Sequence, residues 1–108
     1  LEKDCLARSE SARRKILSDI RKIERAVTDA RRDLRTVDFE LKDVARDMDE
    51  IQGLLADRDN LSLTQAELRT WEDRLDGLKK RNDVLTAEKD GLREKIRMLK
   101  LKIKALRI

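Results

Sequence analysis

Residues 16–55 read ILSDIRKIERAVTDARRDLRTVDFELKDVARDMDEIQGLL. Apolar side chains recur there at Ile16, Ile20, Ile23, Val27, Ala30, Leu34, Val37, Leu41, Val44, Met48, Ile51 and Leu55, in unbroken alternating steps of four and three. Such steps average 3.5 residues and keep one stripe of a helix against a partner helix as the two supercoil. Position a holds Ile20, Val27, Leu34, Leu41, Met48 and Leu55, and position d holds Ile16, Ile23, Ala30, Val37, Val44 and Ile51. Upstream the seam weakens to Leu6, Ser9 and Arg13, so the N-terminal end is expected to fray.

A second run follows at Leu68, Trp71, Leu75, Leu78, Asn82, Leu85, Lys89, Leu92, Ile96, Leu99, Ile103 and Leu106. It has leucine-zipper spacing, with Leu75, Asn82, Lys89, Ile96 and Ile103 at a. The two frames disagree by one residue, because the first places an a position at Ser62 and the second at Leu61. Between them, Ser62 with Gln65 and Thr64 with Glu67 each match a capping box, a helix-start signal. The chain therefore divides into a first heptad helix over 1–56, a phase break or loop over 57–62 and a second heptad helix over 63–108.

Composition agrees with an all-α coiled coil and excludes a globular core. Of the 108 residues, 46% are charged and 2% aromatic, and Pro, His and Tyr are absent. A globular domain carries about 25% charge. Disorder, the other charge-rich class, does not require apolar residues in heptads. The net charge is +4, but it is unevenly spread. Residues 11–35 are basic, 38–60 are acidic, and no acid follows Glu94. The single Cys5 excludes an internal disulfide and fits a reducing compartment. No apolar run approaches a membrane span and no signal-peptide pattern opens the chain. A start without Met and a stop at Ile108 in mid-pattern read as a segment of something longer.

The flanking charges choose between topologies. A parallel two-stranded zipper, with Asn82 paired to Asn82, sets Asp19 on Glu24, Asp33 on Asp38, Arg74 on Lys79, Lys95 on Lys100 and Lys102 on Arg107, all repulsive. Folding the runs antiparallel about a midpoint between Asp59 and Asn60 sets Leu34 on Leu85, Leu41 on Leu78, Met48 on Trp71 and Ile16 on Ile103. It also sets Asp47 on Arg74, Glu40 on Arg81, Asp38 on Lys79, Glu24 on Arg93, Asp19 on Lys102 and Glu10 on Arg107, with only Asp33 and Glu88 repelling. At roughly 0.3 kcal/mol per exposed pair, the charges favour the antiparallel form by about 3 kcal/mol at low salt. Asn82 opposite Val37 opposes it by about 1 kcal/mol. The expected fold is thus an antiparallel coiled coil, with the parallel zipper as the alternative. It is either an intramolecular helical hairpin, an arm of roughly 70 Å, or an antiparallel dimer of long helices spanning about 160 Å.

Chemistry has little to work with. Without His there is no imidazole base or ligand, and the carboxylates fall at exposed positions with no pocket to shift them, so no enzyme, cofactor or metal is expected. The oligomer seam comprises Ile16, Ile20, Ile23, Val27, Leu34, Val37, Leu41, Val44, Met48, Ile51, Leu68, Trp71, Leu75, Leu78, Asn82, Leu85, Leu92, Ile96, Leu99, Ile103 and Leu106. Candidate polyanion contacts are Arg13, Arg14, Lys15, Arg21, Lys22, Lys95, Lys100, Lys102, Lys104 and Arg107. Met98, Leu101, Ala105 and Ile108 form a second stripe beside the seam, suited to a wider bundle or to an acidic partner. Phe39, at the outer position f, is surface or partner contact. No basic-region motif or aromatic interleaving supports specific nucleic-acid binding.

The long run of heptads with charged flanks resembles rod segments of coiled-coil cytoskeletal scaffold proteins of flagellar, centriolar or kinetochore type. The resemblance implies an oligomerising spacer in a cytoplasmic, cytoskeleton-associated assembly, joined by self-association or by another coiled-coil chain. The alternative is a polyanion-binding module whose basic ends hold an acidic surface such as tubulin, that is, microtubule binding.

Overall fold

The computed structural model describes the backbone of residues 2–108 and the side chains of residues 8–108; Cys5 and Leu6 lie outside the latter. Three helices follow in order: α1 over Glu2–Ala56, α2 over Arg58–Leu61 and α3 over Gln65–Leu106. No strand occurs among the described residues. Helix α1 runs for 55 residues and α3 for 42, each without a proline to remove a ladder hydrogen bond. Their threonines are accommodated by back-bonding. The hydroxyls of Thr28, Thr70 and Thr86 donate to the carbonyls of Glu24, Ala66 and Asn82, four residues earlier.

The connection is built from polar local bonds. Asp57 N–H closes the last turn of α1 on the Gly53 carbonyl at 3.2 Å. The Asp57 carbonyl then accepts from the amides of Asn60 and Leu61, and its carboxylate from the Asn60 amide group at 2.6 Å. This makes residues 58–61 one short helical turn within the expected break. Ser62 ends it in the left-handed region, φ 52° and ψ 42°, the only non-glycine with positive φ among the described residues. Of the two candidate start sites, Thr64 caps α3. Its hydroxyl accepts from Glu67 N–H at 3.2 Å and donates to the Glu67 carboxylate at 3.1 Å, while its carbonyl accepts the first α3 bond from Leu68 N–H.

The two long helices pack on each other within two compact units, residues 34–91 and residues 1–33 with 92–108. In the first, Val37, Val44, Ile51 and Leu85 are buried, and Leu34, Leu41, Met48, Leu55, Leu68, Trp71, Leu75, Leu78, Asn82 and Lys89 are half-buried. In the second, Ile20, Val27, Ala30 and Ile96 are buried, and Ile23, Leu92, Leu99, Ile103 and Leu106 half-buried. Among the described residues, no polar or charged residue is buried in either. From Gln65 onward, the α3 side chains withdrawn from solvent are Leu68 and those at the alternating three- and four-residue steps that follow, ending at Leu106.

Candidate functional site

Ion pairs join α1 to α3 in each unit. In residues 34–91, Arg81 Nη2 meets Glu40 Oε2 at 3.0 Å and Lys89 Nζ meets Asp38 Oδ1 at 2.7 Å. In the other unit, Arg107 Nη2 meets Glu24 Oε1 at 3.0 Å. Glu40 and Arg81 are partners the charge pattern anticipates. Asp38 takes Lys89 instead of Lys79, and Glu24 takes Arg107 instead of Arg93. Among the described residues no ion pair joins Asp47 to Arg74, Asp19 to Lys102 or Glu10 to Arg107; Asp47 bonds Arg46 on its own helix at 3.8 Å. Arg74 and Asp47 do line one groove, with Glu50, Ile51, Leu54 and Trp71. There the Arg74 guanidinium lies 5.6 Å from the Trp71 ring centre, within cation–π range.

Two polar side chains interrupt the α3 stripe. Lys89 lays its stem along the interface and delivers its ammonium to Asp38, so the charge stays paired at the rim. Asn82 is half-buried, and no buried side-chain nitrogen or oxygen among the described residues lacks a partner. The cost expected for an Asn amide in an apolar layer is thereby reduced.

Ile16, placed at d by the heptads, is 39% exposed, and every described side chain from residue 8 to residue 18 is exposed. Sequence reading also passed over Ala26, Leu54 and Leu63, all half-buried. Ala26 and Leu54 fall at position g, where an apolar residue signals a stripe wider than a and d. Leu63 lies in the link, which no periodicity covers.

All ten candidate polyanion contacts fall in the unit of residues 1–33 and 92–108, and all are exposed. That unit contains 17 Lys and Arg against 8 Asp and Glu, net +9, whereas residues 34–91 contain 10 against 15, net −5. Arg14, Arg21, Lys22 and Arg25 share one face of α1 with Leu17 and Ser18. Glu24, Lys100, Ile103, Lys104 and Arg107 line a groove between α1 and α3. Arg107 is committed to Glu24, and Arg97 to Glu94 through two bonds, Nε to Oε2 at 3.0 Å and Nη2 to Oε1 at 2.6 Å. These bonds from Arg97 hold the Glu94 carboxyl below its ordinary value and raise the Arg97 guanidinium.

Among the described residues, no group of three or more His, Cys, Asp or Glu is placed to hold a metal ion, and no helix is long and apolar enough to cross a membrane. Comparison with protein-family models, curated proteins and solved structures finds no match for this chain.

Proposed function

We propose that this chain is an antiparallel coiled-coil arm, a non-catalytic spacer that joins parts of a larger, cytoskeletal-type assembly. One observation carries the reading: in residues 34–91 the α3 partner rises from Arg81 to Lys89 as the α1 partner falls from Glu40 to Asp38. A parallel pair would move both the same way. The groove that joins Ile51 to Trp71 and Arg74 continues that sense toward the connection.

A fold point at the link Ser62–Thr64, in place of residues 59–60, is favoured by the left-handed Ser62 and by α2, which adds one turn to the outgoing arm. Layers then slide by one heptad step. In residues 34–91, Leu41 faces Leu85, Val44 faces Asn82, Met48 faces Leu78 and Ile51 faces Leu75. In the basic unit, Ala30 faces Ile96, Val27 faces Leu99, Ile23 faces Ile103 and Ile20 faces Leu106. Burial supports this register over the one read from charges. Ile20 is 7% exposed and has Leu106 opposite, whereas Ile16 would face a position beyond Ile108 and is left in solvent.

Circular dichroism with native mass tests the proposal. A helical chain with cooperative melting supports it, and a monomer mass selects the hairpin over the antiparallel dimer. Short bis-maleimide crosslinking through Cys5, the sole thiol, joins two chains efficiently only in a parallel zipper, and that result would overturn the topology.

The charge division favours a second reading, in which the basic unit holds a polyanionic surface such as an acidic tubulin tail. Microtubule co-pelleting that survives Lys100→Gln, Lys102→Gln and Lys104→Gln together would remove it.

A further inference from the structure

The outer face of α3 in the basic unit carries apolar side chains that the α1 interface does not use. Met98 is 46% exposed and Leu101 47%; Ile108, two residues past the end of α3, continues their spacing in sequence. With Ala105, also exposed, they recur at steps of three, four and three, the same alternation as the inner stripe of Ile96, Leu99, Ile103 and Leu106. At 3.6 residues per turn the two stripes are centred roughly 160° apart, on opposite sides of the helix. Lys95 and Lys102 border one edge of the outer stripe, and Arg97 and Lys104 border the other. Arg97 reaches along its edge, with Nη2 3.6 Å from the Met98 sulfur. Lys95, Lys102 and Lys104 are exposed and hold no ion pair among the described residues. After Glu94 the helix offers no acidic side chain with which to pair them.

The geometry points to this face as a docking site for a third helix, an acidic one with heptad apolar spacing. Two features select that occupant, and two alternatives fit worse. The stripe advances by heptad steps, so a partner helix can match it knob for hole along its length. Its cationic borders stand where the e and g positions of the partner would lie, and these favour Glu or Asp there. A second copy of the same face would bring Lys95, Lys102 and Lys104 against one another and is disfavoured. A bilayer fits less well, because the stripe is one heptad column wide, includes Ala105 and lacks the Trp or Phe that anchor an interfacial helix. The inference rests on the hairpin reading, since α1 must already hold the inner stripe. Helicity and mass of the free chain test that reading separately.

The experiment is a fluorescence anisotropy titration of the full chain against two labelled heptad peptides, both with Leu at a and d. One has Glu at e and g, the other Lys. The Glu peptide is expected to bind at least about tenfold more tightly than the Lys peptide, with affinity falling as salt rises past the screening range. Leu101→Glu, or Met98→Gln with Leu101→Gln if a charge there perturbs the fold, is expected to weaken binding about tenfold with unchanged circular dichroism. Lys95→Gln with Lys102→Gln should weaken it about threefold and flatten the salt dependence. Equal binding of both peptides, no binding of the Glu peptide, or indifference to the Leu101 variants overturns the proposal. So does a Leu101-dependent preference for phosphatidylserine vesicles over the Glu peptide, or Leu101-dependent self-association. The first would move the face to lipid, the second to another copy of the chain.

Discussion

At the scale of single residues, backbone conformation decides more than side-chain contact. Gly53, Gly77 and Gly91 lie inside helices with ordinary negative φ, and a Cβ built on any of them meets no atom within 4 Å. Glycine there costs helix stability without relieving a clash. Each Gly→Ala substitution is expected to stabilise the fold by about 0.5–1 kcal/mol, read as a rise in the thermal midpoint. Gly77 and Gly91 stand roughly 21 Å apart along α3, so their effects should add. Ser62 is the converse case. It holds φ 52° with a Cβ and is exposed, so Ser62→Gly removes left-handed strain. A gain of about 0.5–1 kcal/mol in chemical denaturation is expected, and a loss would mean that the Ser62 side chain contributes to the turn. Nothing in the heptads marks Ser62 for this conformation, because a left-handed residue is set by how two helices must be joined.

At the scale of elements, the helices were legible in the sequence and their junction only partly. Seams at steps of four and three, apolar but for Asn82 and Lys89 in α3 and without proline, admit one regular structure, and α1 and α3 are the result. Capping chemistry offered two start sites. Thr64 prevails because its hydroxyl reaches Glu67 N–H while Ser62 is consumed by the left-handed turn. The short α2 was not legible, since four residues carry no period and its bonds depend on Asp57. Further along α3, the bidentate Glu94–Arg97 pair is local and exposed. Because the folded carboxyl lies below its ordinary value of 4.5, the pair's contribution is complete above that pH and is lost as pH falls through the depressed folded value. Glu94→Gln should therefore flatten the acid limb of the helicity profile below about pH 4.5 while leaving neutral helicity nearly unchanged. A variant profile that overlays the parent chain would show that the pair contributes nothing measurable.

At the scale of the whole molecule, the register proposed from burial and the one read from charges differ by one heptad, and charge alone separates them weakly. Exposed pairs differ by only tenths of a kcal/mol, and Lys and Arg stems reach several residues along a partner, so neighbouring registers score alike. Burial discriminates more sharply, because leaving a large apolar side chain such as Ile16 in water costs about 1.5–3 kcal/mol relative to full burial. Ile16 is 39% exposed, and the proposed register leaves it without a partner. The decisive contrast lies in residues 34–91, where Leu41 faces Leu85 in the proposed register and Leu78 in the charge-derived one. With Cys5→Ser to remove the native thiol, Leu41→Cys with Leu85→Cys should crosslink readily through a short bis-maleimide in dilute solution. Leu41→Cys with Leu78→Cys should crosslink poorly, since two turns of helix displace the thiols by about 10 Å. Truncating Leu85, which has no solvent exposure, costs stability, about 2–5 kcal/mol by analogy with Leu→Ala, so both pairs need comparison at matched helicity. A product at monomer mass gives the hairpin and one at dimer mass the antiparallel bar. Preferential joining of Leu41→Cys to Leu78→Cys would restore the fold point at residues 59–60 and overturn the register proposed from burial.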